Sequence, residues 1–308
     1  MKKLRIISRN SKLALWQANF VRQQLLIHYP DLEIEIIGVT TSGDKLLDGS
    51  LSKIGGKGLF IKELEVGLLN NEADIAVHSL KDLPVSLNSE FCLAAVLKRD
   101  DASDAFVARK YRSLDELPIN SIVGTSSPRR VALLKYYYPH LQVKPLRGNV
   151  ITRLSKLDTG EYDAAILATA GLKRLGLENR VTQRLDVDKF IPSIGQGALA
   201  IETLANCPDL AKLVAPLIDQ ATTITTLAES HVGKALGVSC NAPIAIHATI
   251  NNDMINIRAM LADDEMSNYF FANSQAPLNN YLAAADNCVT QLLSQMTPNL
   301  ILKYQYKN

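Results

Sequence analysis

The sequence predicts an α/β protein with two domains built on mainly parallel sheets and a small α+β domain at the C-terminal end. Three observations carry this. Short runs of β-type residues alternate with amphipathic helical stretches through the first two hundred residues, the texture of βαβ units. The pattern restarts after the polar stretch Lys98-Arg99-Asp100-Asp101. Beyond about residue 220 it gives way to a helix, a hairpin signal and a final helix.

Leu4–Ser8 reads as the first strand, and Ser11 opens a helix whose apolar positions include Leu13, Leu15, Trp16, Phe20 and Leu25. Glu33–Thr40, rich in β-branched residues, is a second strand. Thr41–Lys57, with four glycines and several charges, reads as a long mobile loop of the kind that forms lids, with Lys53 and Lys57 as its candidate lid cations. Gly58–Asn70 is an amphipathic helix, Ala73–Val77 a buried strand, and Phe91-Cys92-Leu93 part of another. In the second domain Ser121–Thr125 is a strand, and Pro128 takes a first-turn helix position after Ser127. Leu141–Lys144 and Asp163–Leu167 are strands with a helix between them. Phe190–Gly197 reads as a hinge. Thr222–Leu236 is a helix, Asn251-Asn252-Asp253 joins two strands, and Leu278–Met296 is the last helix.

Among 308 residues, 47% are hydrophobic and 21% charged, enough to bury several cores. Lys+Arg 33 against Asp+Glu 31 leaves +2, which argues against a general nucleic-acid coat. No run of about 18 apolar residues predicts a membrane span. The N-terminus, with Arg5 interrupting its apolar stretch, reads as a strand and not as a signal peptide. Cys92, Cys207, Cys240 and Cys288 are widely spaced, which excludes a disulfide scaffold and fits a reducing cytoplasm. The histidines form no H-E-x-x-H, and no grouping offers a metal site.

The near-neutral total hides a local imbalance. From Arg129 to Lys156 there are seven Lys or Arg and no Asp or Glu. Ser126-Ser127-Pro128-Arg129-Arg130 and Arg147-Gly148-Asn149 both follow a strand and start a helix. Ligands of parallel sheets bind at the carboxyl ends of strands, and helix N-termini favour anions. Two such junctions predict a site for several negative groups, against the alternative of a solvated basic face. The stretch lacks stacking aromatics apart from Tyr136-Tyr137-Tyr138, and Gly55-Gly56-Lys57-Gly58 lacks the spacing of a phosphate loop.

Arg9-Asn10-Ser11 occupies the same kind of junction in the first domain, where Ser11 suits a helix cap, a role compatible with ligand binding. His78 to Pro84 follows a buried strand. His78 alone reads as a packed, hydrogen-bonded residue, and the pair Lys81-Asp82 suits either a surface ion pair or chemistry at the strand end. Cys92, Cys207 and Cys288 read as structural. Cys240 lies in the loop Gly237–Pro243, where a thiol can be exposed and reactive.

Taken together, these segments resemble the porphobilinogen deaminase (hydroxymethylbilane synthase) family. The resemblance rests on Arg9-Asn-Ser-Lys-Leu-Ala-Leu-Trp-Gln17, Gly55–Glu65, Asp74–Pro84, Gly124–Arg130, Leu146–Val150 with Thr152–Leu157, Ala168–Gly176 and Pro192–Ala198. The third domain is similar more loosely, with Val238-Ser239 where the family usually has two glycines before its cysteine. The resemblance implies two domains like the lobes of periplasmic binding proteins, with the chain returning to the first. The expected division is 1–97 with 198–215, 103–191, and 220–308 carrying the cysteine. It implies a dipyrromethane cofactor on Cys240, a thioether anchor, onto which four porphobilinogen units are added with loss of ammonia. Asp82 would be the catalytic carboxylate. Lys81, Thr125, Ser127, Arg129, Arg130 and Arg153 would hold the cofactor's acidic side chains. Arg9, Ser11, Gln17, Phe60, Arg147 and Arg174 would hold the incoming pyrrole. It also implies a cytoplasmic monomer with porphobilinogen as its partner and neither nucleic acid nor membrane. The chemistry suits the residues, because a growing chain of acetates and propionates needs arginines, and a fixed carboxylate stabilises the cation left as ammonia departs. The competing reading is a two-lobed small-anion binding protein of the same architecture, with a nucleic-acid-binding protein third.

Overall fold

The computed structural model describes residues 2–45, 60–237 and 242–305. The chain forms two compact units, Met1–Asp100 with Gly197–Thr223, and Asp101–Gln196 with Ile224–Asn308. In chain order the elements are β1 (Lys3–Arg9), α1 (Lys12–His28), β2 (Glu33–Val39), α2 (Ser42–Lys45), α3 (Lys62–Leu69), β3 (Ile75–Ser79), β4 (Phe91–Val96), β5 (Asp104–Ala108), β6 (Ile122–Gly124), α4 (Pro128–Tyr137), β7 (Gln142–Lys144), α5 (Val150–Asp158), β8 (Ala164–Ala168), α6 (Thr169–Arg174) and β9 (Gln183–Arg184). They continue with β10 (Leu199–Leu204), α7 (Pro208–Val214), α8 (Gln220–Ala235), β11 (Ile244–Asn251), β12 (Met254–Ala262), β13 (Tyr269–Pro277), α9 (Tyr281–Ser294) and α10 (Pro298–Gln305).

The first unit holds a five-stranded sheet in the order β2-β1-β3-β10-β4. β1 pairs in parallel with β2 and β3, whereas β10 runs antiparallel to both of its neighbours. Alternation along the strands divides the core in two. Leu4, Ile6, Ile75, Val77, Leu199 and Ile201 pack on the side of α1 and α7 with Ala18, Val21, Leu25 and Leu210. Ile7 and Ala76 face α3, meeting Leu64 and Leu68. Each such fully buried Leu or Ile contributes about 1.5–3 kcal/mol. The buried stripe of α1 is Ala14, Gln17, Ala18, Val21 and Leu25. Trp16 lies off this stripe, exposed and stacked on Phe20, ring centroids 5.3 Å apart. Ala14 and Ala18 let the helix lie close to the strands, and Val21 and Leu25 fill the core beside them.

The second unit repeats the plan with the order β7-β6-β8-β5-β9, β6 parallel to β7 and β8, and β5 antiparallel to both neighbours. The same unit holds a three-stranded antiparallel sheet, β11-β12-β13. One face of that sheet packs Ile244, Ile246, Ile255 and Ile257 against Val232 of α8, Leu236 just after it, and Cys288 and Leu292 of α9. Ala245, Met260 and Ala262, on its other face, join Leu133, Leu134 and Phe190. The predicted hairpin forms at Asn252 and Asp253, whose φ values of 49° and 60° are those of the turn that suits strand twist.

Three differences from the sequence reading stand out. The small sheet has a third strand, β13, whose polar Asn273, Ser274 and Gln275 mask its alternation. The stretch read as a loop from Thr41 begins with the short helix α2, while 46–57, with Lys53 and Lys57, lies outside the described residues. The helix expected from Gly58 starts at Lys62.

Candidate functional site

In the first unit, β1, β2 and β3 are parallel, so their carboxyl ends share one edge of the sheet. Arg9 ends β1, Thr41 follows β2, and Ser79 ends β3, followed by a tight turn at Leu80–Asp82. Arg9, Ser11, Gln17, Phe60, His78, Ser79 and Asp82 line a pocket there. Ser11 caps α1, accepting from the Ala14 N–H at 3.3 Å. Gln17 is buried and donates through Nε2 to Ser79 Oγ at 2.7 Å. The turn bearing Lys81 and Asp82 is fixed by its backbone: Leu80 N–H donates to Ala198 O at 3.0 Å, and Leu83 N–H to Leu80 O at 3.1 Å. Leu83 is itself buried, while Asp82 is exposed.

Arg9 is held on two sides. Its guanidinium lies 4.3 Å from the Phe60 ring centroid and pairs with both carboxylate oxygens of Asp44 on α2. Burial opposes ionisation of Asp44, but hydrogen bonds from Arg9 and Thr41 hold its carboxyl below the ordinary value. Sequence reasoning missed Asp44, which looked like one more loop charge. The available signal was Thr41 three residues earlier, whose hydroxyl donates to Asp44 Oδ2 at 2.7 Å. Gly43 completes the arrangement, because a Cβ there would stand 2.4 Å from the Phe60 ring. Glu63 ties α2 to α3 by accepting from the Ser42 N–H at 2.7 Å.

In the second unit, β6, β7 and β8 are parallel and end on a common edge. Thr125 follows β6, is buried, and accepts from the Ser127 N–H through Oγ1 at 3.2 Å. Ser127 stands at the N-cap of α4 with Pro128 next, as expected, and its side chain makes no capping bond. Arg129 and Arg130 then enter the interior, 3% and 6% exposed. Both converge on Asp104, the first residue of β5, which is fully buried. Arg129 Nη2 donates to the two carboxylate oxygens at 3.1 and 2.8 Å. Arg130 donates through Nε at 3.1 Å and Nη2 at 2.7 Å. Gln196 Nε2 adds a bond at 2.9 Å and reaches Ala102 O at 2.7 Å. The remaining forks cap Ile191 O and Ile166 O.

Burial opposes the charge on Asp104, yet the two guanidiniums beside it hold its carboxyl well below the usual carboxylate range. Burial likewise pushes Arg129 down, against the pull of Asp104. The cluster carries two positive charges and one negative, and Arg129 Nε is buried with no partner among the described residues. A polycarboxylate such as dipyrromethane fits such a surplus. Asp104 was not legible as a site residue, and it turns two predicted ligand arginines into a built, oriented pair.

Arg147 and Arg153 flank the next junction. Gly148, at φ 112°, makes the turn into α5, and a Cβ there would stand 2.8 Å from Thr152 Cγ2. Asn149 caps α5 by accepting from the Thr152 N–H at 3.0 Å, and Arg153 Nε donates to Gly148 O at 2.7 Å. Arg174 is buried in the last turn of α6. Cys240 lies outside the described residues, as do Val238 and Ser239.

The family model of the porphobilinogen deaminase dipyrromethane cofactor-binding domain matches residues 4–212. The chain belongs to the porphobilinogen deaminase family. It is 46% identical over 301 residues to the porphobilinogen deaminase of Laribacter hongkongensis, covering 98% of each chain. It is 53% identical over 266 residues to that of Nitrosomonas europaea, covering 86% of each. A periplasmic substrate-binding protein of an ABC transporter from Coxiella burnetii is similar with a TM-score of 0.45 and 13% identity, over 71% of this chain and 94% of that one. As a porphobilinogen deaminase, the protein is a transferase of tetrapyrrole synthesis that joins porphobilinogen molecules on a dipyrromethane cofactor. Among the described residues no helix is long and apolar enough to cross a membrane.

Proposed function

We propose that Asp82 is the catalytic carboxylate of this porphobilinogen deaminase and that Cys240 anchors its dipyrromethane. The observation that carries the assignment of Asp82 is the pocket at the ends of β1 and β3, where Asp82 stands with Arg9, Ser11, Gln17 and Phe60. When bound, dipyrromethane supplies the free pyrrole position at which the chain grows. Lys81, Thr125, Ser127, Arg129, Arg130 and Arg153 hold its carboxylates, and the surplus of buried positive charge around Asp104 supports this for the two adjacent arginines. Arg9, Ser11, Gln17, Phe60, Arg147 and Arg174 hold the incoming pyrrole. Arg9 binds its acidic side chain, and Phe60 keeps that guanidinium in place from below. Asp82 accepts from the pyrrole N–H and offsets the positive charge that develops as ammonia leaves.

We assign the chain to three domains, 1–97 with 198–215, 103–191 and 220–308, and read it as a cytoplasmic monomer releasing hydroxymethylbilane. Single-turnover ammonia release from cofactor-loaded protein tests the central assignment. Asp82→Asn keeps the shape and loses the charge, and it is expected to slow release by about 10²–10³. Asp82→Glu keeps the charge one methylene away and retains part of the rate. Equal rates in the two variants would remove Asp82 from the chemistry.

A further inference from the structure

One group lining the pocket has no part in the assignment above. His78 sits on β3 and is 5% exposed. Its register partner on β10 is Ala200, and Ala76 is paired with Glu202. His78 and Glu202 are therefore diagonal neighbours on one face of the sheet. His78 Nε2 lies 2.9 Å from Glu202 Oε2, and Glu202 is fully buried. Its other oxygen, Oε1, has no hydrogen-bond partner among the described residues. The groups facing Glu202 are His78 on β3, Glu65 on α3 and Cys92 on β4. Burial and then the charge of Glu202 push the Glu65 carboxyl up, while His78 acts on it in the opposite sense. A carboxylate oxygen accepts, so the contact with Glu202 Oε2 places an N–H of His78 at Nε2. No described residue bonds Nδ1.

We propose that His78 is a substrate-contacting residue, presenting Nδ1 as a hydrogen-bond acceptor to the aminomethyl ammonium of porphobilinogen, and that Glu202 is the positioning residue that fixes the imidazole in this tautomer. The inference rests on the reading of this pocket as the substrate site. A primary ammonium carries three donors. The Asp82 carboxylate can take some of them, and the Nδ1 lone pair of an imidazole lining the same pocket takes another. The arrangement favours substrate over a pyrrole that lacks the amine.

The test compares cofactor-loaded wild type with His78→Leu, His78→Asn and Arg9→Leu, each checked for fold by circular dichroism. Porphobilinogen and its analogue with methyl in place of aminomethyl serve as ligands. His78→Leu is expected to bind porphobilinogen about ten- to a hundredfold more weakly while its affinity for the methyl analogue is unchanged. His78→Asn, which keeps an acceptor near the Nδ1 position, should recover part of the preference. Nitrogen-15 spectra of histidine-labelled wild type should show Nε2 protonated and Nδ1 bare. A Nδ1-protonated ring, or equal losses for the two ligands in His78→Leu, would overturn the proposal. Arg9→Leu separates the two levels of the argument: it weakens both ligands if the pocket is the substrate site and neither if it is not.

Discussion

Replacing Asp104 by Asn is the sharpest probe of the second unit. The substitution keeps the shape of the side chain but removes the one negative charge that, among the described residues, pairs with Arg129 and Arg130. Four hydrogen bonds from three nitrogens of the two guanidiniums converge on its carboxylate oxygens, and an amide offers one oxygen and turns an NH₂ toward the remaining donors. Removing one partner of a buried ion pair costs about 3–5 kcal/mol. With a urea slope of about 1–3 kcal/mol per molar, the unfolding midpoint should fall by roughly 1–5 M. The dependence on pH follows from the depressed carboxyl of Asp104. Its stabilisation is present above the unfolded value, about 3.9, and is lost as pH falls toward the lower folded value. The gap between wild type and Asp104→Asn should therefore be full at pH 7 and shrink only in strong acid. Hydrogen exchange in the peptide 125–137 reads the same unit locally, and Arg129→Leu combined with Asp104→Asn should cost much less than the sum of the two. An unchanged midpoint, or strict additivity, would refute the reading of Asp104 as the counter-charge of this pair.

The remaining expectations are smaller. Asp44→Ala should free Arg9 from its partner, and because such a half-exposed pair is worth about 0.2–1 kcal/mol, KM should drop by no more than about fivefold; a rise in KM would show that Asp44 helps binding. Gly43→Ala should displace the Phe60 ring and raise KM while leaving the unfolding midpoint nearly unchanged; an unaltered KM would remove Phe60 from substrate binding. The intact protein should outweigh its sequence by two linked pyrroles, mapped to a peptide containing Cys240, and Cys240→Ala should abolish both the excess and turnover; a modified and active Ala variant would place the anchor elsewhere.

The junctions at Arg9-Asn10-Ser11, Ser127-Pro128 and Arg147-Gly148-Asn149 were legible because caps, first-turn proline and turn glycine are local signals. The arginine surplus was legible as composition, but not its partner. Asp104 stands in Ser103-Asp104-Ala105, which carries no turn or cap signature, and β5 and β10 showed no recognisable period because they are buried on both faces.

Asp104 and Glu202 each belong to the one strand of their sheet that runs against the rest. Asp104 pairs with Ala168 at the end of β8, and Leu199, which opens β10, pairs with Ser79 at the end of β3. A reversed strand starts where its parallel neighbours finish, so its first residues lie on the edge at which parallel strands place ligands. An acid at the start of such a strand reaches that edge from inside the sheet, held by the strand's backbone. Asp104 does this for two guanidiniums, whereas Glu202, the fourth residue of β10, lies deeper, opposite Ala76, and meets one imidazole within the sheet. In the second unit the strand-to-helix junction supplies the two arginines, and the amino end of the reversed strand supplies the counter-charge that orients them.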